Sequence, residues 1–431
     1  MKPARPLLIA LGIAGVVCAA GLALALAPPF QRWAVLQAAA GRPGFKLEVA
    51  AVSVRFSSLT LRGMLVESSG LRVRLDQLDA DYSLWQLLFS HRLQIRRLDA
   101  RGVLVDVSRL SRAKAGVAAA GAPVAAPGLL AQLELPVELV LEDCHVDGRV
   151  LLRGAAGKPP VPADFKITGG RFAPGQEGSL LLAATARNPA TDAHVAALNA
   201  QVSLRATQTA QRSFSRVALT AVVDAEGKSF SEQNQLKISA ELTKGSAGEN
   251  YSVSIDTLIR GAAENVLAAH ATLTAGQKEY AGQWTLKART AQLEPFLLDG
   301  ALPDFDARGE GRFAFTPSTR AVSLQGNMEA GASGLEAIEP AWRAIGAVRL
   351  QAQFDLAVAD SVASLRRLDI RVAGAQPVFE LQATRAAEFN FKENRLHVGG
   401  SVTGEVMNLK LHGLPLSWVR PIVRAVESRV E

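Results

Sequence analysis

The stretch LEDCHVDG, Leu141 to Gly148, places Asp143, His145 and Asp147 at alternate positions. On a strand all three share one face, so two carboxylates and an imidazole could meet a cation there. Two acids and one histidine lack the closed ligand set of a structural metal site, so no metal is expected. The apolar residues also move from the odd positions Val137, Leu139 and Leu141 to the even positions Cys144 and Val146. That switch predicts a bulge that leaves the three polar groups in solvent. Cys144 and His145 are adjacent and point to opposite faces of a strand, which excludes a thiolate–imidazole pair and makes Cys144 a small buried hydrophobe.

Other chemistry is sparse. His91, His194, His270, His397 and His412 are dispersed, and no serine sits in a Gly-x-Ser-x-Gly elbow. RGEGR, Arg308 to Arg312, lacks the lysine and hydroxyl of a phosphate loop and reads as a tight turn. NYS, Asn250 to Ser252, matches a glycosylation acceptor by letter but lies in a strand pattern. The expectation is a protein that is not an enzyme and that carries no cofactor.

The elements around these residues are almost all strands. Leu71, Val73 and Leu75 alternate with Arg72, Arg74 and Asp76, and Leu236–Leu242 and Tyr251–Ile255 alternate in the same way. In AVRLQAQFDLAVAD, Val348, Leu350, Ala352, Phe354, Leu356 and Val358 occupy one face and Arg349, Gln351, Gln353 and Asp355 the other. This period of two means sheet with one dry and one wet face. A turn is expected at Gly63. Helical pattern is confined to Ser83–Ser90, a turn near Leu293–Leu298, Gly334–Ala344 and the segment after Leu411, which Pro421 interrupts. Ser111–Gly128, rich in Ala, Gly and Pro, reads as a linker, and Arg153–Asp164 as a loop. RRLDAR (Arg96–Arg101) and RRLDIR (Arg366–Arg371) echo one another, by chance or as a reiterated strand unit.

The 431 residues are 48% hydrophobic and only 6% aromatic, ample for burial with small and branched side chains. The net charge of +7 is scattered singly along strands, which fits a solvated surface near anionic lipid and argues against nucleic acid. Between Pro6 and Gln31 there is no charge, and Leu7–Ala27 would span about 31 Å as a helix, one hydrocarbon thickness. This is a membrane segment or a signal peptide. Its length, and Pro28 and Pro29 directly after the small-residue site, favour an uncleaved anchor. A short N-terminus before so long a body places the bulk beyond the membrane. Cys144 is the one cysteine there, so no disulfide can form within it.

Leu75–Val107, with a strand, a Ser-Leu-Trp-x-Leu-Leu turn and LQIRRLDARGVLVDV, resembles the N-terminal module of the AsmA-like envelope proteins. LEPFLLDGALPDFDARGEGRFAFTPSTRAVSLQGNM, Leu293 to Met328, looks like their recurrent middle unit, and LKLHGLPLSWVRPIV, Leu409 to Val423, like their strand-to-helix connections. The resemblance implies a single inner-membrane helix followed by an elongated, groove-like antiparallel sheet in the periplasm, with a few short helices. It divides the chain into an anchor (1–30), an N-terminal β module with its short helix (31–110), the linker (111–130), a β-groove body (131–410) and a short amphipathic helix (411–431).

The resemblance further implies a groove that shields or transfers lipid acyl chains in outer-membrane biogenesis. Its partners would be membrane lipids, the inner membrane and envelope proteins joined by strand addition. Taking a sixteen-carbon chain out of a bilayer costs on the order of 12 kcal/mol at ~0.8 per methylene, so the apolar cover must be nearly continuous. The candidate groove residues are Leu71, Val73, Leu75, Val103, Val105, Val107, Val348, Leu350, Phe354, Leu356 and Val358. The alternative is an envelope scaffold that binds proteins through its β-edges and whose apolar face is a closed core.

Overall fold

The computed structural model describes residues 45–413, apart from 69–70, 108–129, 131–132, 134, 136, 153–159, 189–194, 228–233, 247, 275–278, 298–301, 317–318, 320, 339, 360, 394 and 399–404. The expected anchor, the greater part of the linker and the segment after Gly413 lie outside the described residues. Strands make up 76% of these residues and helices 7%. Among them no helix is long and apolar enough to cross a membrane. The chain divides into two compact units, the first from 1–118, 134–189 and 199–214, the second from 119–133, 190–198 and 215–431. The division does not follow the linker, because the strands just after it pair with those before it.

Unit 1 holds β1 (Phe45–Val54), β2 (Ser58–Ser68), β3 (Leu71–Tyr82), β4 (Arg92–Asp106), β5 (Glu138–Leu152), β6 (Val161–Phe172), β7 (Glu177–Arg187) and most of β8 (Ala197–Gln208). Pairing runs β1–β2–β3–β4 antiparallel, β4–β5 parallel and β5–β6–β7 antiparallel. The parallel pair is the exception to the expected antiparallel sheet. It forms because β3 returns to β4 through a tight helical turn, whereas β4 reaches β5 through the long segment 107–137. That turn is α1 (Leu84–Ser90), capped by Ser83, whose Oγ accepts from Gln86 N at 3.4 Å, and ended by His91 in the left-handed region at φ 51°. Leu84 is buried, while Trp85 and Phe89 stack on one another at 5.1 Å and face outward.

Gly63 does not end a strand; it lies inside β2 with φ 60°. A Cβ there would meet Ala50 at 2.9 Å, and one on Gly102, at φ 66°, would meet Asp76 Oδ2 at 2.4 Å. These four residues mark a seam across β1–β4. On each strand two consecutive residues turn away from the core, and the apolar positions change parity on either side of them. Leu61 and Met64, and likewise Leu75 and Leu78, therefore join one buried cluster with Leu59, Ala80 and Ala100.

Unit 2 holds β9 (Phe214–Glu226), β10 (Asn234–Gly245), β11 (Gly248–Ile259), β12 (Ala262–Thr274), β13 (Tyr280–Arg289), β14 (Asp304–Thr316), β15 (Ala321–Ser333), β16 (Val348–Ala359), β17 (Val362–Ala373), β18 (Pro377–Ala383), β19 (Ala387–Asn390), β20 (Arg395–Val398) and β21 (Met407–Leu411). From β9 to β17 each strand pairs antiparallel with the next. β17 then serves two partners. Its Asp369–Ala373 half pairs with β18, which pairs with β21, and its Val362–Leu365 half pairs with β19, which pairs with β20. The helical turn α2 (Thr290–Leu293) with the 3-10 turn Glu294–Phe296, and the 3-10 turns Leu335–Ala337 and Pro340–Ile345, fall in the stretches where helical pattern was expected. The resulting architecture is mainly β, built from open antiparallel sheet.

Candidate functional site

Beside the polar residues of LEDCHVDG, Asp99 of β4 is held by ion pairs with Arg97 and Arg101. In β5 burial changes parity between Leu141 and Cys144, but the ladder to β4 passes from Ile95–Leu141 to Arg97–Asp143 in register, without the expected bulge. The register shift lies between Ala100 and Val103 of β4, and of the three polar residues only Asp143 is exposed, His145 and Asp147 being half-buried. His145 pairs in register with Asp99 of β4 and Thr168 of β6. Asp99 is only 5% exposed. It accepts from Arg101 Nε at 3.1 Å, Arg101 Nη2 at 2.8 Å and Arg97 Nη2 at 3.2 Å. The bidentate Arg101 fork holds the Asp99 carboxyl below the usual carboxylate range, against the opposing effect of its burial. Such an acid stays ionised near neutrality and is a poor proton donor. Among the described residues no group of three His, Cys, Asp or Glu could hold a metal. Cys144 is 6% exposed and sits on the apolar face, in register with Leu98 and Gly169.

The apolar faces are the dominant feature. Following register partners across unit 2, one row reads Ala221, Ile238, Ile255, Leu267, Leu286, Gly309, Met328, Ala352, Ile370, Leu381 and Leu409. These eleven positions, one per strand at ~4.8 Å, trace about 48 Å along the sheet. The neighbouring row passes from Leu219 through Trp284, Gly311, Gly326 and Phe354 to Leu368. No charged residue stands in either row.

RGEGR is thus not a turn. Gly309 and Gly311 lie inside β14 on this face, beneath the Trp284 ring. A Cβ on Gly311 would come within 2.0 Å of Gln325 O and 2.8 Å of Trp284 Nε1, and one on Gly326 within 2.7 Å of the same ring. The indole lies flat over glycine backbone and reaches Phe354, with ring centroids 6.3 Å apart and planes at 12°. The signal in the sequence was glycine at alternate positions, which on a strand clears one face.

Exposure along this face is uneven. Leu350 and Phe354 are half-buried, whereas Leu356 is 38% exposed, Val358 45%, Leu324 36% and Val322 43%. These last four are cross-strand neighbours, Val322 opposite Val358 and Leu324 opposite Leu356. In the same row as Val322 and Val358, Tyr280, only 2% exposed, donates its hydroxyl to the buried Glu249 carboxylate, and the Leu130 N–H approaches the same group at 3.5 Å.

The opposite face of β13–β17 carries two polar rows at its centre. Lys287, Arg308, Glu329, Gln351 and Arg371 form one row and Thr285, Glu310, Asn327, Gln353 and Asp369 the next. Arg308 Nε bonds Glu329 at 2.7 Å. A half-open depression of about 500 Å³ lies between these rows.

Unit 1 treats its expected groove residues differently. Val73 and Leu75 are 4% and 2% exposed, Leu75 within the buried cluster, while Leu71, Val103, Val105 and Val107 are half-buried. Val73 pairs with Val105, and Val103 packs against the cluster. In unit 2 Val348, Leu350, Phe354, Leu356 and Val358 share the face of β16 as expected. Sequence reasoning missed Trp284, Met328, Ile370, Leu381 and Leu409 as members of the same face.

The two RRLD segments take the same local form. Arg96 in β4 and Arg366 in β17 are each the extra residue at a register shift against the preceding paired strand. Beyond the shift, Asp99 sits between Arg97 and Arg101 on the polar face, as Asp369 sits between Arg367 and Arg371. Comparison with known proteins finds no matching family model, no matching curated protein and no matching solved structure.

Proposed function

We propose that this is a membrane-anchored, AsmA-like envelope protein that shields or transfers lipid acyl chains along an apolar, groove-like β-sheet. The observation that carries this reading is the eleven-residue apolar row of unit 2, flanked by the exposed Val322, Leu324, Leu356 and Val358. At about 48 Å it is roughly three times one hydrocarbon leaflet of ~15 Å, so a chain lying across the strands meets apolar side chains throughout. The N-terminal apolar run supplies the tether to the inner membrane, with the body in the periplasm. Its partners are membrane lipids, and the reading is non-catalytic: it assigns no residue a chemical step. A scaffold with a closed core is the second reading, supported by the burial of Val73 and Leu75 in unit 1.

Trp284 provides the test, because a tail on this face touches its ring. The full-length chain in detergent, with Trp33, Trp85, Trp342 and Trp418 replaced by Phe, is mixed with vesicles whose phospholipids carry brominated acyl chains. Loading is expected to quench Trp284 fluorescence, and Leu356→Asp to reduce the quenching. Unchanged fluorescence at saturating lipid would refute the reading and favour the scaffold.

A further inference from the structure

We infer that one end of unit 1 is a docking tip for a bilayer surface, built from Phe56, Trp85 and Phe89 with Arg55 and Arg96 beside them. These three rings are the most exposed large apolar side chains among the described residues, at 75%, 64% and 72%. The fold brings them to one end of the sheet from two different connections. Tyr82, the last residue of β3, donates its N–H to Ser57 O at 3.0 Å and its hydroxyl to Arg55 O at 2.6 Å, which fixes the β1–β2 turn against the start of α1. Leu84 holds α1 by its burial, so Trp85 and Phe89, four residues apart on the helix, stand outward as one stacked pair.

The charges around the rings select the partner. Arg96 is the extra residue at the register shift between Asp81–Arg97 and Tyr82–Ile95, so it emerges beside the end of β3. Arg55 and Arg96 are both exposed, and neither guanidinium has an acidic partner among the described residues. The acids at this end are occupied: Glu138 pairs with Arg92 at 2.7 Å, and Asp81 stands opposite Arg97. Aromatic rings with free guanidiniums at their margin match a membrane interface, where rings sit at headgroup level and arginine meets anionic lipid phosphate. This end presents strand ends and not a sheet edge, so a partner strand has no ladder to join there. The docking does not rest on acyl-chain transfer, since a bilayer can be gripped without a lipid leaving it.

The test uses the full-length chain in nanodiscs of phosphatidylcholine and phosphatidylglycerol whose acyl chains carry bromine near the headgroup. Trp33, Trp284, Trp342 and Trp418 are replaced by Phe, leaving Trp85 as the reporter. A matched chain carries Trp85→Phe and Arg72→Trp, which moves the reporter to an exposed position near the other end of β3, about 33 Å away. Trp85 is expected to be strongly quenched and the reporter at position 72 weakly. Phe56→Ser with Phe89→Ser should remove most of the Trp85 quenching with unchanged circular dichroism. Arg55→Ala and Arg96→Ala should each lower the ratio of docked to free tip by roughly fivefold at low salt. Equal quenching at the two positions would overturn the proposal, as would an unquenched Trp85. Protection of Trp85 from acrylamide without bromine quenching would also overturn it and give the tip to a protein partner. Lipid loading is read from Trp284 in a separate chain, so failure of either result leaves the other intact.

Discussion

Leu356→Asp and Leu61→Asp make the same chemical change on two apolar faces and should have very different consequences. Leu356 is 38% exposed and Leu61 2%. Full burial of a leucine is worth about 2.5 kcal/mol, so losing the covered three-fifths of Leu356 costs about 1.5 kcal/mol. The new carboxylate reaches water across the open face and adds little more. At Leu61 the whole transfer energy is lost, and an unpaired carboxylate is enclosed at a further cost of several kcal/mol. The total approaches the 5–15 kcal/mol that holds a typical domain together. Urea titrations followed by far-UV circular dichroism should give Leu356→Asp a small midpoint shift with native secondary structure, and Leu61→Asp a chain unfolded without denaturant. If Leu356→Asp costs 3 kcal/mol or more, a second layer covers this face and the open-sheet argument fails.

Three further outcomes follow from named contacts. Gly102→Ala puts a Cβ against Asp76 at a left-handed backbone position, and should lower stability by about 2 kcal/mol in the same titration, partly relieved by Asp76→Ala. Asp99 has a depressed carboxyl pKa, so its contribution is present above the unfolded value of roughly 3.9 and disappears as pH falls through the lower folded value. Wild type should therefore lose more stability between pH 6 and pH 3 than Asp99→Asn, and parallel pH curves would count against the Arg101 pairing. Ser83→Ala removes the N-cap acceptor of α1 and should cost about 0.5–1 kcal/mol, visible as faster amide exchange at Gln86 with little change in β3 and β4.

The strands were legible because a half-buried strand writes its two faces into alternate letters, and α1 because Ser83 precedes a compact apolar group with a ready N-cap. Gly63 and Gly309–Gly311 were misread for a common reason. Glycine has no side chain to report a face, and its usual role in turns hides its use inside a strand, at a left-handed position in one case and as clearance for an indole in the other. The parity change across β1–β4 was present in the letters, with apolar positions passing from Leu61 to Met64 and from Leu75 to Leu78, but a period of two treats it as an error. Pairing of β4 with β5 in parallel has no local signature, because the direction of a returning strand is set by the connection.

The proposed reading gives the composition a physical account. A face meant to be filled by its own core favours large side chains that interlock, as Leu59, Leu61, Met64, Leu75 and Leu78 do in unit 1. A face that must accept a flexible hydrocarbon gains from being smooth, since each projecting ring interrupts contact on either side of it. On the proposed lipid reading this suits the unit 2 rows, which are mostly Ala, Val, Ile, Leu and Gly, with Met328, Phe354 and an indole laid flat over three glycines. A sixteen-carbon chain needs on the order of 12 kcal/mol of compensation at ~0.8 per methylene. Low side chains in unbroken register provide this more evenly than a few deep pockets, and the depression of unit 2 lies on the wet side, where it offers a lipid tail nothing.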